Sequence, residues 1–226
     1  MKKIISIAIM LAMLLSFAAC GQKQPGPGAY VTIMTNDGVQ VASQFVEFID
    51  YDKDGKNTID ELLKAAHEQY APNKANDYAS ADLGYGLSIT KLWGDESMSY
   101  GYYLNNAMAW SASDPVAEND YVCAFVYKDA SGFSDVYAWF DKYIAEGGDV
   151  TLNLKAYTAY DENWNAIANT MSNVKIMVDY NAVDGFVTDK DGNVKITGLK
   201  KGEHVITVMD TENNTFNGAC CRITVK

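Results

Sequence analysis

Arginine is almost missing from this 226-residue chain; it occurs once, at Arg222, and histidine occurs only at His67 and His204. Basic residues total 18 against 29 acidic ones, a net charge of −11. A surface this acidic and this poor in guanidinium groups has no footprint for nucleic acid or for an anionic lipid surface. Catalytic signatures are missing as well. There is no GxSxG, no phosphate-binding loop and no dinucleotide fingerprint, and His67-Glu68-Gln69-Tyr70-Ala71 lacks the second histidine of a zinc-protease helix. Paired carboxylates occur throughout so acidic a chain and therefore single out no acid–base pair. The chain reads as non-catalytic. No CxxC spacing occurs, and Cys123, Cys220 and Cys221 are an odd number after Cys20, which argues against a zinc site or a disulfide framework. Small buried thiols are the first reading. Cys220 and Cys221 would point to opposite faces of a strand, so one of them reaching Cys123 outside the cell is the alternative.

What the chain does have begins at its first residue. Lys2 and Lys3 precede an uncharged apolar run from Ile4 to Phe17, short for a membrane span but suited to the core of a signal peptide. Phe17-Ala18-Ala19-Cys20 then resembles the bacterial lipobox. The resemblance implies a signal peptide over 1–19, cleavage before Cys20, and acyl chains, palmitate among them, on that cysteine; two or three chains anchor stably. Ordinary secretion with a free Cys20 is the alternative. The expected location is the extracytoplasmic face of the cell membrane. Residues 20–28, Cys-Gly-Gln-Lys-Gln-Pro-Gly-Pro-Gly, read as a flexible tether. Without Lys2 and Lys3 there remain 16 basic residues against 29 acidic, a net charge of −13. Cationic, neutral or metal ligands suit such a surface.

Tyrosine is abundant at 15, with 4 Trp and 8 Phe. Aromatic richness suits an extracellular binding surface, although strands also favour these residues. Alternating or β-branched runs predict strands at 30–34, 39–51, 84–93, 99–105 and 121–128, and again at 150–160, 174–179, 194–197, 205–209 and 219–225. Ile59, Leu62, Leu63 and Ala66 recur at helical spacing and predict a helix over 58–69. A further short helix is expected within 134–146, and Gly147-Gly148 marks a boundary. The expectation is an α+β first domain over 29–146, with antiparallel sheets and one main helix, followed by an all-β sandwich over 149–226.

One motif has metal-ligand spacing. Asp50, Asp52 and Asp54, Gly55, the Lys56 carbonyl and Glu61 fall at the positions of an EF-hand-type calcium loop. Asn57 stands where an apolar residue is usual, and a strand rather than a helix precedes Asp50. Thr58 and Glu61 equally form a capping box, in which Glu61 bonds backbone and ligates nothing. Ca2+ and a capped polar turn are both open on these residues. The stretch from Asp184 to Gly192 reads as a turn.

The order of elements over 29–130 resembles the transcobalamin-type C-terminal domain family of bacterial surface lipoproteins and animal cobalamin carriers. The resemblance is carried by Tyr30-Val31-Thr32-Ile33, by the helix Thr58 to Ala66, by Leu83-Gly84-Tyr85-Gly86-Leu87, by Tyr100-Gly101-Tyr102-Tyr103-Leu104-Asn105-Asn106 and by the run Val116 to Val122. Tyr100 stands where Trp is usual, and Asn106 and Asn119 where Gly is usual. Residues 149–226 resemble prealbumin-like or Ig-like surface modules through Thr188-Asp189-Lys190-Asp191-Gly192 and Leu199-Lys200-Lys201-Gly202-Glu203-His204. These resemblances imply a ligand- or partner-binding surface protein. One reading is small-molecule capture, corrinoid-like, in a pocket lined by Trp93, Tyr100, Tyr102, Asn105 and Trp110. The alternative is an adhesin or spacer that binds protein or glycan through a flat aromatic patch.

Overall fold

The computed structural model describes residues 25–129 and 135–226. Cys20 and the expected signal peptide lie outside them. No helix among the described residues is long and apolar enough to cross a membrane. The chain is mostly β.

Strands β1 (Gly28–Thr35) and β2 (Gly38–Glu47) form a hairpin, with Gly38 at φ +106° closing the turn. The strand β7 (Tyr121–Val126) lies parallel to β1 on its other edge, followed by β5 (Tyr100–Leu104) and the short β6 (Ala107–Met108), in the order β2-β1-β7-β5-β6. This sheet is covered on both faces, which is why Tyr121-Val-Cys-Ala-Phe-Val126 reads as one continuous apolar run. Its Val122, Ala124 and Val126 point to one core with Ala29, Val31 and Ile33 of β1; Tyr121, Cys123 and Phe125 point to the opposite face.

The helix α1 (Ile59–Tyr70) lies on the first face, burying Ile59, Leu62, Leu63 and Ala66. Thr58 caps it by accepting the Glu61 N–H at 3.3 Å, and Asp60 and Glu61 place negative charge at its positive end. A small separate hairpin, β3 (Tyr78–Asp82) with β4 (Leu87–Leu92), closes that side of the core through Ile89 and Leu92.

The rest of the chain is a β-sandwich. One sheet has the order β11 (Ala166–Thr170), β10 (Val150–Tyr160), β8 (Asp135–Phe140), β16 (Thr215–Asn217), with β14 (Asn193–Ile196) also on β10. The other has the order β13 (Asn181–Val187), β12 (Lys175–Val178), β15 (Gly202–Val208), β17 (Cys220–Val225), β9 (Ile144–Glu146). Leu152, Leu154, Ile176, Ile196, Ile206 and Ile223 fill the space between them.

The helix expected within 134–146 is instead β8 and β9. The run Asp135-Val-Tyr-Ala-Trp-Phe140 alternates: Ala138 and Phe140 enter the sandwich core, while Tyr137 and Trp139 face outward to a second aromatic layer. Because β8 pairs with β10 and β9 with β17, sheet pairing begins the sandwich at Asp135, ahead of Gly147-Gly148.

That aromatic layer joins the two halves. Tyr103 of β5 stacks on Tyr137 of β8 at 3.6 Å between ring centroids and 3° between planes, and Tyr121 stacks on Tyr143 at 4.8 Å. Phe125, Trp139 and Tyr157 complete the seam. Its rim is polar: Tyr137 Oη donates to Asn106 Oδ1 at 2.9 Å, Tyr157 Oη to Asn106 O at 3.0 Å and Tyr143 Oη to Asn119 O at 3.1 Å. The single arginine spans the same junction, donating from Nε to Ser43 O and pairing with Glu203. Asn106 and Asn119 both sit at φ +66°, a left-handed conformation that Asn tolerates, so both turns form without glycine.

Candidate functional site

The side chains expected to line a pocket do not converge. Trp93, at φ +55°, packs into the helix-side core, its ring 5.3 Å from His67. Tyr100 belongs to the same core and donates its hydroxyl to Asp95 O at 2.6 Å. Tyr102 is half-buried there too. Asn105 is spent on structure: Nδ2 donates to Asp120 Oδ1 at 2.8 Å and Oδ1 accepts the Tyr121 N–H at 2.9 Å. Only Trp110 stands free, 93% exposed.

Trp110 is nonetheless held firmly by its backbone. Its N–H and that of Ser111 donate to the Asp114 carboxylate at 2.9 and 3.3 Å. The same turn is pinned to the helix, because the Ile59 and Asp60 N–H groups donate to Asp114 O and Ala112 O. It is pinned to β4 as well, where Leu87 O accepts from Ser111 Oγ at 3.0 Å and from the Ala112 N–H at 2.8 Å. This brings the β3–β4 loop alongside, where Gly86 at φ +125° would place a Cβ 3.4 Å from Ser111 Oγ. Tyr85 precedes that glycine and is 78% exposed; Leu83 on the same loop and Met108 at the end of β6, two residues before Trp110, are exposed too. The result is an open aromatic surface on anchored turns. Tyr85 was legible in the sequence only as a tyrosine between two glycines, Gly84-Tyr85-Gly86, a setting that leaves a ring nothing local to pack on.

The carboxylates of Asp50, Asp52 and Asp54 come within 4.8 Å of one another. Asp50 accepts the Asp54 and Gly55 N–H groups, Asp52 accepts that of Asp54, and Lys56 Nζ lies 2.9 Å from Asp54. Lys53 and Gly55 take the left-handed conformation at φ +64° and +81° that lets the loop wrap. Glu61 is nearly buried and turned to the helix cap, with Oε1 accepting the Tyr51 N–H at 2.7 Å and Oε2 3.3 Å from Thr58 Oγ1. The carboxylate thus serves the turn as well as the cap.

The two histidines sit in opposite electrostatic settings. His67 is fully buried, with Nδ1–H donating to Leu63 O at 2.7 Å and Nε2 accepting the Trp93 N–H at 3.0 Å. That pattern needs the neutral ring, and burial lowers its pKa against the pull of the Leu63 carbonyl and Asp77. At His204 partial burial also opposes charge, but hydrogen bonds to Asp179 and Lys200 O outweigh it and raise the pKa. Acidification through about pH 6.5 therefore favours the unfolded chain at His67. His204 contributes stability below about pH 6.5, which is lost as pH rises through its higher folded value. In an NMR titration the His67 ring proton should shift below about pH 6.5 and that of His204 above it; both titrating together would remove these assignments.

Cys123, Cys220 and Cys221 are free and buried, and burial raises all three thiols, Cys220 to about 11. They are core residues, as the first reading of the sequence has it.

No family model matches the chain, so none supports the transcobalamin-type resemblance, and no curated protein matches it. Two solved structures do. The fibronectin(III)-like modules of Clostridium thermocellum CbhA align with 56% of this chain and 77% of theirs, at 11% identity and a TM-score of 0.30. The Bacteroides ovatus mixed-linkage glucan utilization locus SGBP-B, solved with a mixed-linkage heptasaccharide, aligns with 94% of this chain and 46% of its own, at 11% identity and a TM-score of 0.22. Likenesses at this level assign neither family nor ligand.

Proposed function

We propose that this is a non-catalytic binding protein, anchored by lipid on Cys20 to the extracytoplasmic face of a membrane, whose Tyr85–Trp110 surface docks a neutral extracellular glycan. The observation that carries the reading is Trp110: a large indole left almost wholly in water on a turn fixed to both the helix and β4. Trp and Tyr offer broad, rigid contact area at little entropic cost, and their faces match the C–H faces of pyranose rings. Exposed apolar residues gathered on two joined loops mark a contact site more than a lone exposed side chain does. The acidic chain suits an uncharged ligand, and an open surface suits a polymer better than an enclosed corrinoid-like molecule.

Affinity electrophoresis through gels containing neutral polysaccharides tests this. Trp110→Ala and Tyr85→Ala should each lower affinity about tenfold, roughly 1.4 kcal/mol for one aromatic anchor. Retention of the double variant equal to that of the parent would sink the glycan reading. Cys20→Ser in the same preparation should move the protein from the detergent to the aqueous phase.

A further inference from the structure

A second exposed element lies at the far end of the sandwich. Pairing of β10 with β8 stops at Ala156, and beyond it β10 pairs only with β11. From residue 158 to residue 170 every position is exposed. The ribbon therefore stands largely in water, although a lone two-stranded hairpin is at best marginally stable there. Its tip is nevertheless fixed: the Asp161 carboxylate accepts the Asn163 and Asn165 N–H groups and the Asn165 Nδ2, each at 2.8–2.9 Å. Trp164 sits there at φ +65°, strained for a bulky residue, with its indole 83% exposed and 6.3 Å from the Tyr160 ring.

β11 is an edge strand, and among the described residues no strand lies beside its outer hydrogen-bonding groups. Edges are commonly protected by charge or proline. Here β2 carries Glu47, β13 Asp184, β9 Glu146 and β14 Lys195, while the uncharged edges β6 and β16 are only two and three residues long. From Asn163 to Asn173 there is neither charge nor proline. The direction of the open groups follows from one bond. Met171 donates its N–H to Leu154 O, toward β10, so by alternation the backbone groups of Ala166, Ala168 and Thr170 face outward.

We infer that β11 pairs with β11 of a second copy of this chain, antiparallel and centred on Ala168. Two chains with a large negative charge repel least where each is locally uncharged, and this edge is such a place. The antiparallel direction also keeps the two acidic tips, Asp161-Glu162, at opposite ends of the pair; a parallel pair would set tip against tip. In this register Ala168 exchanges both backbone bonds with its twin, and Ala166 does so with Thr170 of the second copy, small side chains that leave the strands room to meet. The two ribbons become a four-stranded sheet.

Ala168→Cys tests the register directly, since directly opposed strand residues have Cα atoms about 5.5 Å apart, within disulfide reach. In the purified protein under mild oxidation, Ala168→Cys should give a disulfide-linked dimer, while wild type and Thr158→Cys on β10 should not. Sedimentation velocity should show a concentration-dependent dimer in wild type and only monomer in Ala168→Pro. That proline removes an outward N–H and leaves the pairing with β10 intact. A wild type that stays monomeric at its highest soluble concentration overturns the inference, as does cross-linking equal at positions 168 and 158, or a dimer that survives Ala168→Pro. Polysaccharide binding through Trp110 is a separate readout and should be unchanged in Ala168→Pro.

Discussion

A chain consisting of residues 149–226 alone is expected to stay unfolded, with collapsed amide NMR signals, and a chain beginning at Asp135 to recover dispersed ones. β8 is an inner strand of its sheet, paired with β10 on one edge and β16 on the other, and Ala138 and Phe140 are core residues. Removing it leaves two strands with open edges and a slot in the sandwich core. Removing β9 frees an edge of β17 as well. Each lost strand takes backbone hydrogen bonds and buried apolar area together, and a small domain's net stability of about 5–15 kcal/mol does not survive both losses. A well-dispersed spectrum from 149–226 would show that β8 is dispensable and that Gly147-Gly148 is the true junction.

Phe125→Ala should be the most damaging single truncation at the seam. The ring is fully buried on β7, stacks near Tyr103 and Tyr137, and meets Tyr127 edge-on at 5.1 Å. Across the strand pair it covers Gly101, where a Cβ would fall 2.3 Å from its Cζ, so the glycine opposite exists to admit the ring. Truncation removes the transfer free energy of a phenyl group and leaves a cavity that the flanking rings fill poorly. The cost should be about 3–5 kcal/mol, and the melting temperature should fall by on the order of 10 °C. Because the seam joins the halves, thermal unfolding of the variant should also broaden or split, as coupling between the sheets weakens. A drop of less than about 1 kcal/mol would mean that the seam is filled without this ring.

Much of the fold was written in local pattern. The spacing of Ile59, Leu62, Leu63 and Ala66 placed the helix within a residue of where it lies, and Thr58 with Glu61 named its cap. β1, β7, β10 and β17 announced themselves by alternation or by an unbroken apolar run. β8 did not, because its alternation is apolar on both faces: one side enters the sandwich, the other the seam. Only knowledge of what covers each face tells such a run from a short buried helix. β11 and β13 were missed for the opposite reason, since their few β-branched residues, Ile167 and Thr170 or Val183 and Val187, are scattered among Ala, Asn, Asp and Gly and set up no hydrophobic period.

The candidate site was legible in part for a related reason. Tyrosine abundance pointed to a binding surface, yet Tyr30, Tyr103, Tyr121, Tyr137, Tyr143 and Tyr157 are consumed by the seam. Which rings remain in water depends on how two distant segments dock, and no short window of sequence contains that. Trp110 and Tyr85 differ from the others only in lying on loops between Gly, Ser and Asp.

The position of β1 has a mechanical consequence. It is laced to β2 along one edge and to β7 along the other, and it is the first strand of the described residues. A pull delivered at Gly28 along the strand axis loads both ladders in shear, so the bonds resist together and none can be peeled in turn. For any protein held at that end while its far surface grips something moving, drag would be borne by the best-connected strand of the sheet. Its lifetime under load would then follow the barrier to sliding β1 free, and not the equilibrium stability of the fold.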